Sequence, residues 1–222
     1  MGTSRLQLYN DALLICGARF LTTLSEDVES RRLLDNVWDS NGVRYCLEQG
    51  QWQFAMRTQK IEYDPSTEPP FGYNRAFNKP TDWVLTSALC TDEFFNVPLL
   101  GYADELEFWY SSIDTIYVKF VSDDTNYGYD LAIWPATFCD YAAAYFASKI
   151  LTKISSSEDR IRYLMGAPGD IDGGELGRRL TIAKSRAAMT QPTQFPASGS
   201  WTSSRFGRNG ARDRGSRSRL IG

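Results

Sequence analysis

Between residues 3 and 17, apolar side chains recur at three- and four-residue spacing, the pattern of an amphipathic helix. The stripe consists of Leu6, Tyr9, Leu13 and Cys16. The hydroxyl of Thr3 or Ser4 can cap the first turn, and Gly17 supplies a C-terminal stop. A first helix is therefore predicted between Ser4 and Gly17.

A second helical stripe follows, made of Leu34, Val37, Trp38, Asn41 and Tyr45. We expect its helix to begin after Ser25, with the nearby acidic residues favouring the positive end of the helix dipole. Those residues are Glu26, Asp27 and Glu29. The pattern runs to about Leu47, and Gly50 ends it. Residues 3–48 are thus predicted to form a helical hairpin.

From Trp52 onward, prolines and glycines interrupt the chain, and short segments rich in β-branched and aromatic residues lie between them. This composition predicts strands. The strongest candidates are Trp83–Leu89, Glu105–Tyr110 and Thr115–Val121. Three or more such strands can form a small antiparallel sheet that packs on helices.

Helical periodicity returns at Trp134, where Pro135 can occupy the first helical position without losing a hydrogen bond. One continuous apolar face follows, made of Phe138, Ala142, Tyr145, Phe146, Ile150 and Ile154. A short helix is predicted from Glu158 to Met165 and another from about Gly174 to Met189. The glycine-rich segment 166–174 lacks the Gly-Lys-Ser/Thr ending of a phosphate loop, so we interpret it as an interhelical loop.

These elements predict an α+β fold in which N- and C-terminal helices pack as one bundle and a small antiparallel β-sheet domain is inserted between them. The predicted boundaries are 1–50 and 134–190 for the two parts of the bundle, 51–133 for the β-rich insertion, and 191–222 for an extended tail rich in Arg, Gly and Ser. Neither helical pair can bury its stripe alone. We therefore expect Trp38 and Phe146 to lie in a shared bundle core.

The tail differs in charge from the rest of the chain. Residues 203–222 contain six arginines and one aspartate and carry +5, whereas positions 1–202 contain 18 basic and 26 acidic residues and carry −8. The tail has few apolar anchors and cannot build a core of its own. We expect it to remain disordered until a partner offers a surface.

Candidate chemistry is sparse. The chain has no histidine, and its four cysteines are scattered singly, so we predict buried free thiols, no metal site, no cofactor and no catalytic residue. Asp104, Glu105 and Glu107 could suggest a paired-carboxylate hydrolase. In a strand, however, Glu105 and Glu107 would share one solvated face and Asp104 would point away. No leader and no run of about eighteen apolar residues is present, so we expect a soluble protein made in a reducing cytoplasm, without a membrane partner.

Several short segments carry a family likeness. They are Tyr9–Gly17, Leu24–Glu26 with the long helix after it, Gln51–Ala55, Asn78–Trp83, and Trp134–Phe138 leading into an alanine-rich helix. In their order and spacing they resemble the tail tubular protein A family, the head-to-tail adaptors of short-tailed bacteriophages. The likeness covers roughly residues 6–190, and the Arg-Gly-Ser tail is not part of it.

The resemblance implies a structural virion protein in the neck of the tail. Such a protein forms a ring, twelve subunits in number, between the portal protein and the tail nozzle protein, and the DNA passes through its lumen without sequence-specific binding. A high aromatic content, 14% of the chain, suits the subunit interfaces of a ring. An acidic lumen would repel DNA and let it slide.

The tail is the predicted portal-binding segment, in which charge steers the encounter and separate apolar anchors hold it. Its candidate residues are Trp201, Arg205, Phe206, Arg208, Arg212, Arg214, Arg217, Arg219, Leu220 and Ile221. Two alternatives stay open. The chain could be a nucleic-acid-binding module with a basic C-terminal arm, or a tail-associated cell-wall hydrolase that uses acidic residues of the insertion.

Overall fold

The computed structural model describes residues 3–69, 72–155, 157–167 and 173–190. Its helices are α1 (Arg5–Cys16), α2 (Glu29–Asp39), α3 (Gly42–Glu48), α4 (Ala136–Ile154), α5 (Glu158–Met165) and α6 (Gly174–Met189). Its strands are β1 (Met56–Glu62), β2 (Arg75–Asn78), β3 (Trp83–Cys90), β4 (Tyr102–Asp104), β5 (Phe108–Ser111) and β6 (Thr115–Ser122). The predicted portal-binding residues all lie in 191–222, outside the described residues.

Helix α4 is the centre of a single helical bundle, and the other five described helices pack against it. Most of its length is buried, including the faces that carry Phe138, Tyr141 and Phe146. Helices from both ends of the described chain meet there, because Tyr9 of α1 and Trp38 of α2 both contact Phe146. The predicted α+β fold, with one bundle formed by N- and C-terminal helices and an inserted antiparallel β-region, is therefore confirmed.

The predicted start of α1 is correct in detail. The Ser4 hydroxyl accepts a hydrogen bond from the Gln7 amide at 3.2 Å, which satisfies one of the free amides of the first turn. Gly17 ends the helix with a left-handed conformation, φ 68°, and its amide donates to the last carbonyls of α1.

The predicted single helix from Ser25 to Leu47 is wrong at its start and in its middle. Glu26 does not stabilise a first turn, because its carboxylate accepts hydrogen bonds from the Thr22 and Thr23 amides and organises the preceding loop instead. The helix then breaks after Asp39. Asn41 adopts a left-handed conformation, φ 63°, that few side chains other than Asn tolerate.

The next residue, Gly42, explains why the break is sharp. A Cβ at Gly42 would lie only 2.5 Å from the Val37 carbonyl oxygen, so only glycine permits this approach of the two backbones. Helix α3 therefore starts in a new direction. It places Arg44 toward the sheets and Tyr45 against α4.

The inserted strands form two three-stranded antiparallel sheets, with the orders β1-β6-β3 and β2-β5-β4. They share a second core, separate from that of the bundle, which consists of Phe77, Leu89, Trp109, Ile116, Val118 and Phe120. Strands β3 and β6 lie where the sequence predicts them. The predicted strand Glu105–Tyr110 is shifted, because residues 105–107 form the turn between β4 and β5.

Ion pairs connect the bundle to the first sheet. The Arg44 guanidinium donates to the Asp123 carboxylate at 2.6 Å and to the Trp83 carbonyl oxygen at 2.8 Å. In the same sheet, Arg57 of β1 donates to the Asp82 carboxylate at 2.7 Å, and the Ser122 hydroxyl of β6 donates to the same carboxylate. The beginning of β3 is thereby attached to α3.

The C-terminal helices agree closely with the prediction. Pro135 lies one residue before the first helical residue rather than within the helix. Helices α5 and α6 have the predicted bounds. Residues 168–172 of the glycine-rich segment, predicted to be an interhelical loop, lie outside the described residues, and Gly174 is already the first residue of α6. None of the described helices combines the length and apolar character that a bilayer crossing requires.

The first turn of α6 is attached to α4 by a nearly buried carboxylate. Glu175 is 8% exposed and accepts hydrogen bonds from Arg178 and Arg179. These bonds lower the pKa of Glu175 from 4.5 to about 2, with the Arg178 bond as the main cause. Because Arg179 also donates to the Asp140 carbonyl oxygen, the cluster joins the two helices.

The bundle core predicts a large cost for Phe146→Ala. The Phe146 ring is fully buried, and its removal should lower the free energy of unfolding by about 3–5 kcal/mol. Trp38, predicted to be equally deep, is only partly buried, so Trp38→Ala should cost less than Phe146→Ala. Urea denaturation of both variants, with Phe20→Ala at a half-exposed site as the control, measures the difference. An unfolding midpoint of Phe146→Ala equal to that of the wild type would contradict this core.

Candidate docking surfaces

A buried lysine organises one end of the two sheets. The Lys79 side chain is only 5% exposed, and its ammonium lies 3.8 Å from the centroid of the Trp83 ring and 5.4 Å from that of Trp109. It donates to the Asp104 carboxylate and to the Glu105 carbonyl oxygen. A charge can be buried here because two aromatic faces and two oxygens replace its water.

The same cluster holds Asp104 in place. Its second carboxylate oxygen accepts hydrogen bonds from the Trp109 indole at 3.2 Å and from the Thr86 hydroxyl at 3.1 Å. Asp104 is thus an ion-pair partner of Lys79. Glu105 and Glu107 are exposed in the turn and not on a strand face, which corrects the predicted strand geometry of this acidic group.

The turn between β4 and β5, residues 105–107, is called the hairpin tip below. The Glu105 amide donates to the Phe108 carbonyl oxygen at 2.9 Å, and the Lys79 amide donates to the Glu107 carbonyl oxygen at 3.0 Å. Its central residue, Leu106, is 88% exposed between two exposed glutamates. The backbone of the tip is therefore held from both sides while its side chains face solvent.

A second exposed apolar surface lies on residues 91–101, called the distal loop below. It follows the end of β3, and the start of that strand contacts Arg44 of the bundle. Eight strand residues span roughly 25 Å. Phe94, Val97 and Leu100 of the loop are 73%, 53% and 89% exposed. The loop therefore presents its apolar side chains at the end of the sheets remote from α3.

Hydrogen bonds keep the distal loop in one conformation. The Asp92 carboxylate accepts from the Val97 amide at 2.8 Å and from the Asn96 amide at 3.0 Å. These bonds, that of Val97 first, lower the pKa of Asp92. Phe95 adopts a left-handed conformation, φ 56°, which is unfavourable for an aromatic residue. The strained Phe95 backbone therefore lies directly beside the exposed Phe94 side chain.

The bundle has an exposed groove between α3, α4 and α6, called the tyrosine groove below. Tyr45 stacks on Tyr145 with ring centroids 4.6 Å apart and planes at 16°, and the Lys149 ammonium lies over both rings. The opposite wall contains Met165, Leu176 and Leu180. The cavity volume is about 350 Å³. Its aromatic, aliphatic and cationic groups suit an acidic and apolar protein segment.

The cysteines contribute no reactive group to these surfaces. Cys16, Cys46, Cys90 and Cys139 are free and buried, as the sequence predicts. Burial raises the pKa of the Cys16 thiol to about 11 and raises that of Cys46 further. Within the described ranges, no group of three metal-binding side chains converges.

Sequence reasoning missed most of these residues. Phe94 and Phe95, placed between acidic residues and Pro98, are a signal that could have marked an exposed apolar loop. No such signal exists for Lys79, because its partners Trp109 and Asp104 come from a distant part of the chain. The predicted tail site is untested, since it lies outside the described residues.

Comparisons of the sequence found no matching family model and no matching curated protein. The likeness to phage adaptors therefore depends on the short segments given above. One of them, Asn78–Trp83, contains the buried Lys79.

Lys79→Met should loosen the hairpin tip. The substitution preserves length and apolar contact but removes the ammonium that donates to one Asp104 carboxylate oxygen and to the Glu105 carbonyl oxygen. We expect a loss of about 1–3 kcal/mol in unfolding free energy, limited by the partial exposure of Asp104. Exchange of the Glu105 amide, which donates to the Phe108 carbonyl oxygen, should accelerate.

Lys60→Met provides the matched control, because Lys60 is 53% exposed and pairs with Glu62 on the surface. Its cost should stay below about 1 kcal/mol. Denaturation and hydrogen exchange of the two variants test the difference. Equal costs would mean that the buried position of Lys79 does not stabilise the tip.

Proposed function

We propose that this protein is a structural subunit of a bacteriophage virion, a head-to-tail adaptor that forms a ring between the portal protein and the tail nozzle protein. One observation carries the proposal. The described part of the chain has two exposed surfaces of different composition: the tyrosine groove on the bundle, with aromatic, aliphatic and cationic side chains, and the apolar distal loop on the sheets. A ring subunit needs different surfaces for its neighbours within the ring and for the rings above and below it.

The distal loop suggests an orientation. The helical bundle docks on the portal, and the sheets, through Phe94, Val97 and Leu100 of the distal loop, face the nozzle. A rigid loop loses little conformational entropy when it binds, which favours it as a docking element. The resemblance implies twelve subunits around the DNA channel, and the net charge of −8 in positions 1–202 would keep DNA from adhering to the lumen.

The role is structural, so we expect no catalytic residue, no cofactor and no metal. The bonds that Asp104 accepts from Lys79 and from the Trp109 indole are consistent with a structural role for this carboxylate. The protein would be made in the bacterial host cytoplasm and would end in the neck of the virion, where it serves genome ejection as part of the channel.

The full chain mixed with portal protein should form rings that electron microscopy or mass photometry can count. We expect no stable ring from the chain alone at micromolar concentration, because assembly before the capsid is ready would bypass the portal. A stable dodecamer of the free protein would overturn this templated assembly. Salt-sensitive DNA retention without portal binding would favour the nucleic-acid-binding alternative, and cell-wall turnover would favour the hydrolase.

The same assay tests the orientation when nozzle protein is added to the portal-bound rings. Replacement of Phe94 and Leu100 by Ser should prevent nozzle binding and leave the rings on the portal intact. Leu14→Ser is the control, because Leu14 is 63% exposed on α1, outside the distal loop. If the loop variant binds nozzle as the wild type does, the distal loop is not the nozzle contact.

The tail should act as the portal clamp. Truncation after Thr190 removes the +5 of residues 203–222 and the anchors Trp201, Phe206, Leu220 and Ile221. The truncated protein should melt like the full chain yet fail to bind portal stably. Changing the six arginines to Gln should mainly slow binding and flatten its salt dependence, since exposed ion pairs contribute at most about 1 kcal/mol each.

Surface plasmon resonance at several salt concentrations separates the two contributions. Portal binding by the truncated protein as tight as that of the full chain would show that the clamp is wrong and that the tail contacts DNA or another ring.

A further inference from the structure

The hairpin tip and the tyrosine groove are complementary, and both are exposed in the single chain. We propose that the hairpin tip of one copy docks into the tyrosine groove of the next copy, so that copies join head to tail. This contact deepens the ring of the proposed function by naming the surfaces with which neighbouring subunits meet.

The tip has the form of a small knob. Leu106 is 88% exposed and is flanked by Glu105 and Glu107, whose side chains are also exposed. The backbone of the tip is held in place before binding. The Lys79 ammonium donates to the Glu105 carbonyl oxygen, and the Lys79 amide donates to the Glu107 carbonyl oxygen. An apolar side chain on a fixed backbone loses little entropy on binding.

The groove offers the matching groups. Met165, Leu176 and Leu180 form an apolar wall, and the stacked pair Tyr45 and Tyr145 forms the other. Lys149 lies above the tyrosines and forms no ion pair with a carboxylate among residues 3–69, 72–155, 157–167 and 173–190. A leucine between two carboxylates therefore meets an aliphatic and aromatic cavity with a lysine at its edge.

A second copy is the occupant that these surfaces favour. In the folded chain the tip is exposed and does not line the groove, so the two surfaces are not used on each other. A contact between two different patches of identical chains is heterologous. Such contacts repeat from copy to copy and close into a ring when the rotation between neighbours permits it.

The expected contact is weak when it acts alone. One leucine side chain and one or two exposed ion pairs bury far less surface than a stable interface requires. This agrees with a chain that stays unassembled in solution and forms rings on a template. A covalent trap is therefore the suitable measurement, because it captures contacts that are too brief for equilibrium methods.

The experiment uses two full-length single variants, Leu106→Cys and Met165→Cys, mixed under mild oxidation without portal. Both positions are exposed and the four native thiols are buried. We expect a disulfide heterodimer in clear excess over either homodimer, and a ladder of higher oligomers from a chain that carries both substitutions. Leu100→Cys mixed with Met165→Cys is the control, because Leu100 is 89% exposed but lies in the distal loop.

Charge variants test the ion pair directly. Lys149→Glu on the Met165→Cys chain should lower the trapped yield about five-fold, as expected for one exposed ion pair replaced. Glu105→Lys and Glu107→Lys on the Leu106→Cys chain should restore the yield with Lys149→Glu. Unchanged melting curves show that each variant is folded.

The inference is overturned if folded Leu106→Cys forms no more heterodimer with Met165→Cys than Leu100→Cys does. It is also overturned if the exchanged charges at the two surfaces do not restore the trapped yield. These outcomes are distinct from a failure of the adaptor role. Rings on the portal without the trapped heterodimer would leave the adaptor proposal standing and place the subunit contact elsewhere. Trapped head-to-tail oligomers without portal binding would support the contact between copies and contradict the adaptor role.

Discussion

Helix α4 needs partners on nearly all sides, and this need determines the arrangement of the rest of the chain. Its sequence is apolar over most of its circumference, so a single neighbouring helix could not cover it. Helices α1 to α3 cover it from before the strands, and α5 and α6 from after them. The chain must therefore leave the bundle after α3 and return to it at α4. The strands form an insertion whose first and last residues both adjoin the bundle.

The attachment of the insertion combines apolar and polar contacts, because Val84 and Val121 of the first sheet belong to the bundle core and ion pairs lie at the same end of the sheet. Arg44 joins α3 to Asp123 and to the backbone of β3, and Arg57 with Ser122 holds Asp82 beside it. Directional hydrogen bonds specify an angle better than apolar contacts do. The orientation of the hairpin tip and the distal loop toward the bundle is therefore set by these polar side chains together with the apolar packing of Val84 and Val121.

Elements with strong local signals could be predicted from the sequence. Ser4 and Gly17 delimit α1, regular stripes delimit α5 and α6, and alternation reveals β6. The break between α2 and α3 could not be predicted, because the apolar stripe continues through Asn41 although Gly42 permits a sharp approach to Val37. Strand β1 was missed since its residues are mostly polar and partly exposed on an edge. The candidate docking surfaces depend on contacts between residues far apart in sequence, such as Tyr45 with Tyr145 and Lys79 with Trp109. Local patterns of hydrophobic and polar residues do not predict such contacts.

The polar character of β1 has a consequence for separate chains in solution. Strand β1 is an edge of its sheet, with hydrogen-bonding groups that another strand could recognise. Its exposed positions include Lys60 and Glu62, and charged side chains on an edge oppose pairing with the same edge of a second molecule. The edge thus opposes aggregation of separate chains through extension of the sheet, so that the chain can reach a high concentration without pairing edge to edge.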